Sequence, residues 1–270
     1  MRERLTRALC RMDAVELSSR ADTPLHRLDA RAKLLATLLF LVAMLSVPLA
    51  QLSELLLYAL FPLLCAAMGG IRYGDIVRQS LVVLPFVALI GIFNLFYDRE
   101  AAFRIGTLTV TTGSVSFLSI LLRGLLSMQA LLVLILGTGF YPLCRGMQRL
   151  GIPALFTAQL LFVYRYTYVL IEEAGRMSMA RDARSFGRRT YPLPLWGELI
   201  GQLLLRTLRR AEAIGRAMAA RGFSGRIPDG LRAPDRWQPR DTAFLLGWTL
   251  ALTLLRLLRP AERFSDWITY

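Results

Sequence analysis

Two arginines in matching surroundings are the residues of this sequence whose type and spacing could do chemistry. Ala183-Arg184-Ser185-Phe186-Gly187-Arg188 and Ala220-Arg221-Gly222-Phe223-Ser224-Gly225-Arg226 each set an arginine between two small residues, just before a phenylalanine and a glycine. A guanidinium is a planar fork of N–H donors that recognises carboxylates and carbonyls, and small flanking residues let a partner backbone come close. The chemistry on offer is therefore recognition: a long cation seated in a partner's groove. Taken singly, either copy reads equally well as a helix end, where arginine complements the dipole and glycine stops the helix. The recurrence points to two similar docking elements.

The elements that must position these arginines are two helix-patterned segments. Residues 154–186 change character halfway. Up to Ile171 they are apolar and aromatic, with Tyr164, Arg165, Tyr166 and Tyr168 in an interface-like run, and from Glu172 and Glu173 onward they are charged. After the break Tyr191-Pro192-Leu193-Pro194, residues 195–221 repeat Leu199, Leu203, Thr207, Ala211, Ile214 and Met218 at three- and four-residue spacing. Arg206, Arg209, Arg210, Glu212 and Arg216 fall on other faces, so this is an amphipathic helix rather than a clean membrane span.

The composition says what surrounds this pair. With 55% hydrophobic and only 19% charged residues, the chain is too apolar to cover a soluble globule and reads as a membrane protein. Its net charge of +14 fits cytoplasmic loops and partner surfaces, and no nucleic-acid partner is expected. There is no glycine-rich loop ending in Lys-Ser or Lys-Thr, so ATP hydrolysis is expected on partner subunits and not here. Cys10, Cys65 and Cys144 have neither disulfide nor metal spacing, and the single histidine, His26, reads as a hydrogen-bonded interfacial residue. Without a constellation of acid, base and nucleophile the chain reads as non-catalytic, with no cofactor.

Along the chain, residues 1–33 form an arginine-rich segment expected in the cytoplasm, with no cleavable signal peptide. Asp29 is placed to cap the helix that follows. Residues 34–68 carry Glu54 as their only charge and read as two short spans turning near 48–53. Residues 69–78 read as a glycine-rich inside loop, 80–97 as a third span, 98–112 as an external loop with a short extended piece, and 115–140 as a fourth span. Arg123 lies within that fourth span, where it either faces a partner or marks the membrane boundary. A short basic helix at 143–150 precedes the two segments already described, and 242–258 is the last span. The expected architecture is an all-α membrane protein of about five transmembrane helices plus a coupling unit of about three helices. Its parts are a cytoplasmic N-terminal segment (1–33), transmembrane helices (34–141), cytoplasmic coupling helices (142–225), and a loop with the last span (226–270).

Three features together resemble one family: His26-Arg27-Leu28-Asp29-Ala30-Arg31-Ala32-Lys33, the run from Tyr164-Arg165-Tyr166 through Glu172-Glu173 to Met177, and the paired arginine motifs. The chain is similar to the T component of energy-coupling factor (ECF) transporters, specifically to the CbiQ/NikQ branch associated with cobalt and nickel. The resemblance implies a multi-pass subunit of a prokaryotic plasma membrane with its N-terminus in the cytoplasm. Its partners would be the lipid bilayer, two ATP-binding subunits, identical or not, and a separate substrate-binding membrane S component. Ala183, Arg184, Ser185, Ala220, Arg221 and Gly222 would dock on the ATPases, and Arg123, Arg165, Glu172 and Glu173 are candidate subunit contacts. Ser185 departs from the commoner glycine and makes the two docking sites potentially unequal. Vitamin uptake is the nearest alternative. A pore-forming ABC permease, a membrane-bound enzyme holding a lipid or phosphate near Tyr164–Tyr168, and a charge-driven scaffold are weaker ones.

Overall fold

A computed structural model describes residues 23–48, 51–97, 101–105, 108–185, 193–223 and 237–258. The basic residues Arg2, Arg4, Arg7, Arg11 and Arg20, Cys10, and the motif residues Phe186, Gly187, Arg188, Ser224, Gly225 and Arg226 lie outside the described residues. The protein is an all-α membrane protein interrupted by one β-hairpin. In chain order the elements are α1 (Ala30–Leu45), α2 (Leu52–Tyr58), α3 (Leu60–Met68), α4 (Tyr73–Ser80) and α5 (Leu84–Tyr97). The antiparallel strands β1 (Ala101–Ile105) and β2 (Leu108–Thr111) follow, then α6 (Thr112–Thr138) and α7 (Phe140–Arg149). Last come α8 (Ala154–Arg184), α9 (Leu193–Ala220) and α10 (Pro239–Leu258). The chain divides into two compact units, one of Leu17–Gly146 with Asp235–Tyr270, the other containing Met147–Pro234.

In the first unit α6 is the central post, with α1 through α5 all packed on it and α10 packed on α1. Asp29 caps α1, accepting the Arg31 backbone N–H at 2.8 Å and the Arg31 guanidinium at 2.8 Å, which leaves fewer open amides at the helix start. Asp241 does the same for α10, accepting the Gln238 N–H at 2.8 Å, and it also accepts the Asp29 N–H at 2.9 Å. One buried carboxylate thus ties the starts of two helices together. Lys33, only 5% exposed, donates to the Gly137 carbonyl at 3.0 Å, satisfying a charge that would otherwise be costly to bury. Below this polar layer Phe40 stacks on Phe61 at 4.4 Å, and Phe61 meets Trp248 edge-on at 4.6 Å, joining α1, α3 and α10 through aromatic contact.

Two expectations change here. The loop expected over 69–78 is only Gly69–Arg72, because Tyr73–Ser80 is helical. The segment expected as the third span is therefore not one straight helix: α4 and α5 are bent by 49° across residues 81–83. Pro85 in the first turn of α5 lacks an N–H and disfavours helical backbone in the residue before it, which accounts for a break at this point. α5 lies close against α6: a Cβ on Gly91 would come within 2.8 Å of Phe117, and one on Gly124 within 2.7 Å of Val87. The segment expected as a loop over 98–112 also contains two paired strands, of which the sequence pattern indicated one.

Among the described residues, α6 and α8 are each long and apolar enough to cross a membrane, and the α4–α5 pair makes a third if it is one span. A total of about five is reached only by counting shorter elements. α1 has 16 residues, and α2 and α3 form a short apolar stretch interrupted at Ala59. In the second unit α8, read from sequence as part of the cytoplasmic unit, is mostly apolar over 154–171 and mixes charged with apolar residues from Glu172.

Candidate functional site

The second unit holds the paired arginine motifs on two long helices packed against each other. Of the α9 face expected from spacing, Leu199, Leu203, Thr207, Ile214 and Met218 are half-buried, while Ala211 is exposed. Ile200, Leu204, Leu205 and Leu208 form a second, exposed apolar stripe that the periodicity argument missed, since leucines at 203, 204 and 205 broaden the face beyond one helix contact.

Two contacts fix the direction of packing. Arg206 of α9 donates to Glu173 of α8 at 2.7 Å, and Phe223 beyond α9 lies 6.2 Å from Phe162 of α8. Later residues on α9 therefore meet earlier residues on α8, so the pair is antiparallel. Arg221 lies beside the level of Phe162, whereas Arg184 is 22 residues further along α8, about 33 Å away at 1.5 Å per residue. The two motifs stand at opposite ends of the helix pair.

The arginines themselves are exposed, as are Ala183, Ala220 and Gly222, while Ser185 is half-buried. Neither guanidinium has an intramolecular hydrogen-bond or ion-pair partner among the described residues. The two helix ends that present them differ. Gly222 has φ +72°, and α9 closes with Phe223 N–H on Met218 O at 3.0 Å and Gly222 N–H on Ala219 O at 3.0 Å, a left-handed helix end that favours glycine. Ser185 keeps right-handed backbone (φ −85°) and donates its hydroxyl to the Asp182 carbonyl at 2.8 Å. The two helix ends thus differ in backbone: Arg221 precedes a left-handed glycine and Arg184 a right-handed, back-bonded serine.

The acidic candidates are engaged within the unit. Glu173 accepts from Arg176 at 2.8 Å as well as from Arg206, and Glu172 accepts from Arg176 at 3.0 Å. Hydrogen bonds from Arg176, then from Arg206, hold the Glu173 carboxyl below its ordinary range. These residues set the helix crossing. Arg165 is exposed, and the neighbouring aromatics interlock, with Tyr164 and Tyr168 joined through their hydroxyls at 3.0 Å. Arg123 belongs to the first unit and donates to the Leu45 and Val47 carbonyls at the end of α1. No group of three or more His, Cys, Asp or Glu that could hold a metal ion occurs among the described residues.

The sequence reading missed Asp241. Its signal was available in part, as an acid three residues after Gln238 with Pro239 between them, a helix-start pattern. Its bond to Asp29, 212 positions away, had no local signature.

The family model described as "CbiQ: Cobalt transport protein" matches residues 21–229. An energy-coupling factor transporter transmembrane protein EcfT of Thermotoga maritima is 28% identical over 247 residues, covering 83% of this chain and 86% of its own length. The EcfT of Streptococcus equi subsp. equi is 24% identical over 254 residues, covering 88% and 94%. The cobalt transport protein CbiQ of Rhodobacter capsulatus is 34% identical over 86 residues, covering 32% and 35%. With its opening Asp-x-Arg-x-Lys segment at a helix start, its apolar helices and its paired arginine tips, the chain belongs to the CbiQ family of ECF transporter T components.

Proposed function

We propose that this protein transmits ATP-driven motion from two ATP-binding subunits to a separate substrate-binding membrane subunit, for uptake of a divalent transition metal, cobalt or nickel. The observation that carries the reading is the placement of Arg184 and Arg221 at opposite ends of one antiparallel helix pair, both exposed and without partners among the described residues. Each would enter a groove of one ATPase subunit and donate to carboxylates or carbonyls there. A separation of about 33 Å along α8 lets two subunits be engaged at once. Hydrolysis takes place on those subunits, the cargo is held by the S component, and α8 together with α9 lies on the cytoplasmic side of a prokaryotic plasma membrane.

The helix pair acts as a lever because Glu173 braces α8 to α9 through Arg206, so displacement of one tip is carried to the other. The exposed stripe Ile200, Leu204 and Leu208 supplies apolar surface for the S component. Vitamin uptake is the alternative cargo: the EcfT relatives of Thermotoga maritima and Streptococcus equi, which cover most of this chain, are named for no metal, whereas the relative named for cobalt covers only 32% of it.

The test is co-purification. Arg184→Ala and Arg221→Ala are each expected to leave membrane insertion intact while reducing recovery of ATP-binding subunits and transport, and the double substitution is expected to abolish both. Unaltered ATPase recovery with the double variant would falsify the reading. Identifying the membrane subunit that co-purifies, and measuring cobalt, nickel and vitamin uptake, separates the two cargo readings.

A further inference from the structure

At the end of α1 opposite Lys33, the first unit gathers charge that the coupling reading does not use. Arg256 of α10 donates to the Ser46 carbonyl at 2.8 Å, and Arg123 of α6 donates to the carbonyls on either side, Leu45 and Val47. Two guanidiniums therefore grip three successive carbonyls where the α1 hydrogen-bond ladder ends. Glu54 of α2 is 4% exposed and lies 3.9 Å from Arg256. Tyr58, one turn further along, is 2% exposed and within electrostatic reach of both.

The cluster is not self-sufficient. Glu54 Oε1, the Tyr58 hydroxyl, the Ser119 hydroxyl, Arg123 Nε and Arg256 Nη1 are buried without a hydrogen-bond partner. Such groups in native proteins are met by a ligand or by ordered water. Four of them can donate, and one, Glu54 Oε1, can only accept when ionised. Two guanidiniums face one carboxylate and the C-terminal end of α1, which carries roughly half a negative charge, so a positive excess remains. That excess repels a cation and fits an oxyanion. The cluster has an opening, since the Arg256 side chain is 35% exposed.

Its level in the membrane narrows the identity of the oxyanion. α1 ends at Leu45 and α2 begins at Leu52, so the backbone carbonyls of Ser46 and Val47 that Arg256 and Arg123 grip belong to a non-helical segment at this level. Non-helical backbone does not face hydrocarbon, so this is a membrane boundary, the depth of lipid phosphates. Exposed leucines on the participating helices, Leu45 at 60%, Leu254 at 52% and Leu257 at 82%, provide apolar surface for acyl chains.

We propose that Arg256, Arg123, Tyr58 and Glu54 form a binding site for a phospholipid headgroup that carries both a phosphodiester and a hydrogen-bond donor. The phosphodiester is held by Arg256 at the opening and by Arg123 through bridging water, which also reaches Ser119. The donor, an ethanolamine ammonium or a glycerol hydroxyl, is taken by Glu54, with Tyr58 alongside. Choline has the phosphodiester but no donor, so the site discriminates against phosphatidylcholine.

The experiment is intact-protein mass spectrometry of lipid retained by the purified full chain after exchange into mixed vesicles of phosphatidylcholine with phosphatidylethanolamine or phosphatidylglycerol. Phosphatidylethanolamine and phosphatidylglycerol are expected to be retained roughly tenfold over phosphatidylcholine, the effect of one charge-assisted hydrogen bond. Arg256→Gln is expected to lower retention of all three by a similar factor, and Glu54→Gln to collapse the preference over phosphatidylcholine while leaving phosphate-dependent retention. If Arg256→Gln fails to accumulate, Glu54→Gln carries the test alone through that preference ratio. Equal retention of the three lipids overturns the proposal. So does equal thermal stabilisation by inorganic phosphate, which marks a free-anion site. Retention unchanged by lipid type but protection of Arg256 only when other transporter subunits are bound also overturns it, assigning the site to a partner's acidic side chain.

Discussion

Asp241 shows how much one side chain carries. It accepts two backbone N–H groups belonging to the starts of two different helices, and it is 1% exposed. Replacing it with alanine leaves two buried amides open and removes two charge-assisted bonds, so Asp241→Ala is expected to lower stability by about 2–4 kcal/mol. Thermal unfolding in detergent checks this, with Asp75→Ala as the control, because Asp75 is exposed and its ion pair is with exposed Arg72. At Gly222 the prediction is local. A Cβ there meets no neighbour but must adopt φ +72°, so Gly222→Ala is expected to cost about 1 kcal/mol and to fray the end that presents Arg221. Ser185→Gly lacks that penalty, and hydrogen exchange at the two helix ends distinguishes the cases. At this scale the sequence was legible wherever the cause is local: Asp29 caps the helix it precedes, and Gly222 ends the helix before it. It was silent where the partner is remote, as with Asp241 and Asp29.

The helices themselves were readable from apolar spacing, but their breaks and crossings were less so. A run of apolar residues at 80–97 looks continuous to hydropathy, and only Pro85 betrays the 49° bend. The antiparallel packing of α8 and α9 rests on Glu173 with Arg206 and on Phe162 with Phe223, pairs that no periodicity specifies. The crossing has a testable pH dependence. Because its arginine partners hold Glu173 below the ordinary carboxylate range, its contribution is present above the unfolded-state value and is lost as pH falls through the folded one. Proteolysis of α9 is therefore expected to accelerate as pH falls below the ordinary carboxylate range, and Arg206→Ala should produce the same sensitivity at neutral pH. Unchanged cleavage in Arg206→Ala would assign the crossing to apolar contact alone.

For the whole molecule, the two units meet in sequence within α7, and Gly151, with φ +98°, lies in the short link from α7 to α8. If motion is passed along the chain, that link must be short. Lengthening it by about four Gly/Ser residues is expected to preserve ATPase recovery while abolishing uptake, since a flexible linker transmits position poorly. Uptake that survives the insertion would mean force travels by another route. Membrane character was plain from composition, yet which helices are long enough to cross was not, because spans such as α1 sit near the lower length limit.

Lys33 carries one more consequence, for chemical labelling. It is the chain's only lysine, it is 5% exposed, and its amine is hydrogen-bonded to Gly137. In the folded protein, then, amine-directed reagents find no accessible lysine. Acylation of Lys33 becomes a direct reporter of separation between α1 and α6, readable by peptide mass mapping from a single modified residue.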